Sequence, residues 1–187
     1  MFVRFLECNL NCSWCDTQYA QCLDYPATDM TYNEICQEIL NHNCKLVTFT
    51  GGEPLLNGID FIKKFATVFP DIECNIETNG SIREMLEFTG YPNVVITADY
   101  KCTSSGVKAC MLTTEFEKLR NCDAVKFVVA DEQDLVDVIR FLTSHHIKAQ
   151  KFIHAVFGKI SLETLAMFVK NHSWAELRLG VQLHKLS

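Results

Sequence analysis

The chain has no long hydrophobic run, no excess of basic charge, and no repeat or low-complexity tract. Each absence removes a class of function. No stretch approaches the roughly 18 apolar residues that a membrane helix needs, so no membrane partner is expected. The opening segment is broken by Arg4 and Glu7, too early for the apolar core of a secretory signal. Acidic residues outnumber basic ones, 23 against 17, giving a net charge of −6. A protein that grips a nucleic-acid backbone shows the opposite balance, so no nucleic-acid partner is expected either. With 48% hydrophobic and 21% charged residues, the chain is neither disordered, collagenous nor coiled coil, and its 187 residues suit one domain. A cytoplasmic location, where thiols stay reduced, is the default reading.

What the sequence has in abundance is cysteine, 10 residues in all. In a reducing compartment these are ligands and core fillers rather than bridges. Spacing sorts them. Cys8, Cys12 and Cys15 form C-x3-C-x2-C, while Cys22, Cys36, Cys44, Cys74, Cys102, Cys110 and Cys122 are scattered. For the scattered seven the expectation is a small, buried apolar side chain.

Short β-branched segments alternate with helical patterns. Strands are expected at 2–6, 45–50, 72–77, 93–98, 124–129, 147–153 and 177–183. Thr31 with Glu34 forms a capping box ahead of a helix to about His42. Further helices are expected at 59–68, after the acidic start at Asp131, and at 162–169. Such alternation implies right-handed βαβ units and a parallel sheet. The fold class is α/β, an open, partial parallel β/α barrel of about six units, too few for a closed eight-fold barrel. Ligands bind at the carboxyl ends of such strands. Four informative loops fall there: the Cys8 loop, Gly51-Gly52-Glu53, Glu77-Thr78-Asn79-Gly80, and Asp99-Tyr100-Lys101.

Three thiolates within eight residues can wrap a metal centre. On a [4Fe–4S] cube they leave one iron without a protein ligand, and an open position is what catalysis needs. Two other readings stay open on spacing alone: a Cys3His zinc site completed by a distant residue such as His42 or His154, and three unligated thiols. Gly51-Gly52-Glu53-Pro54 adds two glycines that let backbone approach a ligand. It also adds a carboxylate able to accept hydrogen bonds from an ammonium group, and a proline that fixes the entry to the next helix.

The cysteine triad after the first strand, together with the GGEP stretch after the second, resembles the radical S-adenosylmethionine superfamily. In detail the chain resembles the 7-carboxy-7-deazaguanine synthases. The segments that carry this are Val3 to Thr17, Thr50 to Pro54, Glu77 to Gly80, Asp99 to Gly106, Val125 to Val129, and Val181-Gln182-Leu183-His184-Lys185. The resemblance implies a single radical S-adenosylmethionine core domain over 1–187. Cys8, Cys12 and Cys15 would hold [4Fe–4S], and Trp14, Cys15 and Asp16 would lie beside the cofactor. Thr17 would give an oxygen to Mg²⁺, and Gly52, Glu53, Asn79, Lys101 and Ser104 would contact S-adenosylmethionine. Arg4, Thr50, Glu77 and His184 would hold a pterin. The implied reaction converts 6-carboxy-5,6,7,8-tetrahydropterin to 7-carboxy-7-deazaguanine with loss of ammonia, through a 5′-deoxyadenosyl radical. The resemblance also implies a flavodoxin- or ferredoxin-like electron donor and a homodimer.

Two departures from the family pattern stand out. No Gln-Gly-Glu-Gly motif precedes the first strand, so the expectation is a core lacking the family's N-terminal substrate-binding segment, which binds S-adenosylmethionine better than pterin. His154-Ala155 stands where the family pattern has Ser-Pro. Two alternatives compete with the synthase. One is an activase that installs a glycyl radical on a partner protein, as for anaerobic ribonucleotide reductase. The other is a non-catalytic chain that holds a cluster or zinc.

Overall fold

The structure is a computed structural model and describes residues 1–21 and 27–181. Seven strands form one sheet: β1 (Phe2–Phe5), β2 (Leu46–Gly51), β3 (Glu73–Thr78), β4 (Val94–Lys101), β5 (Ala124–Val129), β6 (Gln150–Ala155) and β7 (Leu177–Gly180). All pairings are parallel and the spatial order is the chain order. A doubly wound sheet reverses its strand order part-way, and this one does not. Same-handed crossovers without a reversal put every connection on one face and curl the sheet towards a barrel. The strand order is linear, with β1 and β7 at its two edges, so the barrel is open, as the sequence implies.

Among the described residues, five α-helices connect the strands: α1 (Tyr32–Asn41), α2 (Pro54–Asn57), α3 (Ile59–Val68), α4 (Glu132–Ser144) and α5 (Leu162–Asn171). The expected capping box closes α1: Thr31 Oγ1 accepts from the Glu34 amide, and Glu34 reaches back to the Thr31 amide. Helix alternation fails in the middle of the chain. The β3–β4 and β4–β5 connections are 3₁₀ turns, at Arg83–Gly90, Thr103–Ser105, Lys108–Cys110 and Thr113–Lys118. These segments hold scattered apolar residues but no full helical stripe, so they cover the sheet with turns. The sixth strand starts at Gln150 rather than Ile147.

Side chains alternate between faces along each strand. One face is apolar and lies under the helices, with Val47, Phe49, Cys74, Ile76, Ile96, Val125, Phe127 and Ile153 fully buried. Ile39, Ile62, Phe65 and Val138 pack on it from α1, α3 and α4. The opposite, inner face is polar and half-open. It carries Arg4, Thr50, Asn75, Glu77, Thr97, Asp99, Lys126 and His154. A strand such as β4, with Val94, Ile96, Ala98 and Tyr100 buried and Val95, Thr97 and Asp99 half-buried, shows the division.

The scattered cysteines divide more evenly than expected. Cys36, Cys74 and Cys102 are buried and Cys44 is half-buried, but Cys110 and Cys122 are exposed in the β4–β5 connection; Cys22 lies outside the described residues. No helix among the described residues is long and apolar enough to cross a membrane.

Phe49 stands at the centre of the covered face, edge-to-face with Phe61 and Phe65 at ring separations of 6.0 and 5.6 Å. Phe49→Ala removes a fully buried ring and leaves a cavity. The expected cost is about 3–5 kcal/mol, read as a lower urea midpoint with an unchanged slope.

Candidate functional site

The cysteine loop leaves β1 through Glu7, whose backbone is left-handed at φ 71°. This turn is uncommon for a residue with a side chain and lifts the chain out of the sheet. Glu7 is pinned there on three sides. Its amide donates to Ala20 O at 2.8 Å, its carbonyl accepts from the Glu53 amide at 2.8 Å, and its carboxylate accepts from Asn57 Nδ2. The Gly52 amide donates to Phe5 O at 2.9 Å. The β1–β2 ladder therefore runs on past the strands and joins the cysteine loop to the GGEP stretch. Only glycine permits this. Gly51 has φ 127°, and a Cβ on Gly52 would lie 2.0 Å from Glu7 O.

Glu53, expected to contact the cofactor, is enclosed by donors from the protein. Its side chain is fully buried, and its carboxylate accepts from the Leu55 amide (3.0 Å), Thr78 Oγ1 (2.9 Å) and the Asn79 amide (2.7 Å). Burial pushes its pKa up, and these three donors pull against that rise. Nothing of the carboxylate is open to an ammonium group. Glu53 caps α2 and ties the end of β2 to the end of β3.

That tie delivers Asn79 to the cysteines. Asn79 Nδ2 donates to Asn9 Oδ1 at 2.9 Å and to Cys8 Sγ at 3.7 Å. Cys12 is buried, and Cys8 and Cys15 are half-buried. Burial raises the Cys12 thiol pKa, the neighbouring Cys15 and Cys8 thiols add to the rise, and Lys101 opposes it. Tetrahedral zinc would bring three sulfurs to about 3.8 Å of each other. Among the described residues, only Cys102, Asp134 and Asp137 converge within 4.8 Å, so the three thiols of the loop are spread more widely. His42, offered above as a zinc ligand, caps α1 at the amino end of the sheet, with Nδ1 2.8 Å from Glu38 O, opposite to the loop. The donor set fits a cluster larger than one ion, held by three thiolates beside a glycine-lined backbone.

The remaining expected residues gather around the loop. Trp14 Nε1 donates to Ser104 Oγ at 2.9 Å, and Lys101 Nζ stands 5.3 Å from the centroid of the Trp14 ring. Thr17 Oγ1 lies 3.6 Å from Cys15 Sγ, and Asp16 is exposed next to it. Arg4 pairs in register with Thr50, and Thr50 Oγ1 donates to Glu77 Oε2 at 3.1 Å. Three of the four expected pterin contacts thus form one row across β1, β2 and β3. The fourth, His184, lies outside the described residues.

Comparisons with known proteins give the family and the fold. The Radical SAM superfamily model matches residues 3–95. The 7-carboxy-7-deazaguanine synthase of Clostridium acetobutylicum is 38% identical, with the match covering 100% of this chain and 86% of that protein. The chain belongs to the 7-carboxy-7-deazaguanine synthase family. The synthase of Methanospirillum hungatei is 32% identical over 99% of this chain and 75% of its own length. Among solved structures, QueE from Escherichia coli has a TM-score of 0.67 at 18% identity, covering 97% of this chain and 84% of that one. Streptococcus suis SuiB bound to S-adenosylmethionine has a TM-score of 0.65 at 13% identity, covering 97% of this chain and 46% of its own. At those identities the two structures speak for the fold.

Two further charged residues, Asp99 and Lys126, stand on the inner face beside the site. Asp99 lies between two ammonium groups, 2.8 Å from Lys101 Nζ and 3.0 Å from Lys126 Nζ. Burial would push the Asp99 carboxyl up, but the two lysines outweigh it and hold the pKa below its ordinary value. Asp99 in turn raises the pKa of both lysines. The signal for Lys126 was legible as one charge inside the apolar run Val125 to Val129, a strand otherwise buried on both faces. His154 lies on the same face, its ring packed over Gly180, where a Cβ would come within 2.2 Å. Burial, with Lys126 nearby, lowers its pKa, although Asp99 opposes the fall.

The Asp99 pairing has a testable pH signature. Because its folded pKa lies below the ordinary 3.8, its stabilisation is complete above that pH and is lost as pH falls through the folded value. Asp99→Asn is expected to flatten the acid limb of the Tm–pH curve below about pH 4. It should also cost about 3 kcal/mol at neutral pH, since two ammonium groups lose their shared partner. Unchanged stability with an unchanged acid limb would contradict the pairing.

Proposed function

We propose that the chain is a 7-carboxy-7-deazaguanine synthase, converting 6-carboxy-5,6,7,8-tetrahydropterin to 7-carboxy-7-deazaguanine with release of ammonia. The observation that carries this reading is the union of two features at the carboxyl end of one sheet. Three spread thiols sit in a loop laddered to a glycine pair, and a row of Arg4, Thr50 and Glu77 lies on the inner face beside them. A bound [4Fe–4S] cluster with S-adenosylmethionine supplies one-electron cleavage of the sulfonium and so starts radical chemistry.

The protein's part is binding and orientation. Cys8, Cys12 and Cys15 hold the cluster, and Asn79 steadies the Cys8 sulfur by donating to it. Gly52 and the Lys101 ammonium, kept charged by Asp99, would contact S-adenosylmethionine. Arg4 presents a planar fork that matches the substrate carboxylate. Glu77 accepts from Thr50 and has lone pairs left for the ring N–H groups of a pterin. Thr17 gives a hydroxyl to Mg²⁺, a hard ion whose other oxygens would come from substrate and water. Holding carboxylate and ring in one geometry favours a single course for the ring contraction. By the family resemblance, His184 would supply a further pterin contact. A flavodoxin- or ferredoxin-like donor, a homodimeric assembly and a cytoplasmic setting belong to the same reading.

The test is anaerobic incubation of the reconstituted chain with the tetrahydropterin, S-adenosylmethionine, Mg²⁺ and a reductant. Formation of 7-carboxy-7-deazaguanine is expected. Arg4→Ala is expected to raise the pterin KM by about tenfold or more, the worth of one charge-assisted contact, with S-adenosylmethionine affinity unchanged. Cofactor cleavage without deazaguanine would sink the synthase reading, and would turn attention to a protein substrate of the glycyl-radical type.

A further inference from the structure

The β4–β5 turn is braced by two buried carboxylates on α4, and they do different things. Asp137 accepts from the Thr103 amide (2.9 Å), Thr103 Oγ1 (2.6 Å) and Lys108 Nζ. Asp134, with no exposed surface, accepts from the Ser104 amide (2.9 Å), the Ala130 amide (2.8 Å) and the Ser104 hydroxyl. Cys102 lies within reach of both, but every carboxylate oxygen already has a protein donor and burial pushes the thiol pKa far up, so this cluster is a brace and not a cation site. The Ser104 hydroxyl, spent on Asp134, has lone pairs left, and it accepts the Trp14 indole N–H at 2.9 Å. The hydroxyl expected to touch S-adenosylmethionine is therefore enclosed between a carboxylate and the cofactor-loop tryptophan.

We infer that Asp134 is a positioning residue for the cofactor loop, acting through Ser104 to fix the Trp14 indole beneath the Lys101 ammonium. The donors point one way, indole N–H to serine oxygen and serine O–H to carboxylate, so each bond strengthens the next. A ring whose N–H is drawn towards an anion is richer in electrons, which favours the Lys101 ammonium over its face. The same turn holds the loop at a second point, because the Ser13 amide and hydroxyl both donate to Ser105 O, at 2.9 and 3.2 Å. Helix α4 thus reaches a loop more than 100 residues earlier in the chain through two side chains. The consequence for cofactor affinity rests on the synthase reading; the placement of Trp14 does not.

The chain has two tryptophans, so a Trp174→Phe background isolates Trp14. In the full chain without cluster, Ser104→Ala and Asp134→Asn are expected to shift Trp14 emission to the red and increase its quenching by acrylamide, and Ser104→Thr is expected to restore both. Asp137→Asn, which loosens the same turn without touching Ser104 Oγ, is expected to leave the emission in place even if the Tm falls. In reconstituted protein, Asp134→Asn should weaken S-adenosylmethionine binding by about tenfold relative to Asp137→Asn, the scale of one charge-assisted hydrogen bond. Equal emission shifts from the two aspartate variants, an unmoved emission in Ser104→Ala, or no rescue by threonine would each overturn the inference. Because the fluorescence arm needs neither cluster nor pterin, its failure is distinguishable from failure of the synthase reaction.

Discussion

Two backbone hydrogen bonds, Gly52 N–H to Phe5 O and Glu53 N–H to Glu7 O, carry the rest of the site. They extend a parallel β ladder beyond the point where both strands end, so the cysteine loop is held by the sheet itself. Backbone approach this close excludes a Cβ at Gly51 and Gly52. Glu53 then transmits the same registration to β3 through Thr78 and Asn79, and Asn79 returns it to Cys8. The loop is therefore fixed from β2 and β3 before any cofactor arrives. Such preorganisation is where a protein contributes most to cofactor chemistry.

The sheet solves a second problem by alternation. One face must be apolar to bury the helices, and the other must stay polar to hold ionic ligands. Charges on that polar face need partners, because an isolated buried ion is costly. Asp99 between Lys101 and Lys126 meets this need and leaves one net positive charge on the inner face. That charge suits an active site whose cofactor and substrate both carry carboxylates.

Much of this was legible in the chain. The C-x3-C-x2-C and GGEP stretches are local, and strand ends in a parallel α/β fold point one way, so their meeting followed from topology. The row of Arg4, Thr50 and Glu77 followed from motif resemblance and emerged as a register. What sequence hid depends on contacts distant in the chain. Glu53 reads as a ligand-facing carboxylate because it follows two glycines, yet three donors from two elements enclose it. Ser104 lies within a motif, but that motif does not show that Asp134, thirty positions later, accepts from its hydroxyl. The connections between β3 and β5 are short 3₁₀ turns, which carry no long periodic pattern of their own, and Cys110 and Cys122 sit on exposed turns that composition cannot place.

The central claim is that the glycine-dependent ladder holds the cysteine loop in a cluster-binding form. Anaerobic reconstitution of Gly52→Ala beside the parent chain tests it directly, reading bound iron and the broad visible absorption of a cubane together with far-ultraviolet circular dichroism. A full cluster is expected in the parent, and in the variant a retained sheet with the cluster lost. A variant that holds a full cluster and cleaves S-adenosylmethionine at the parent rate would contradict it.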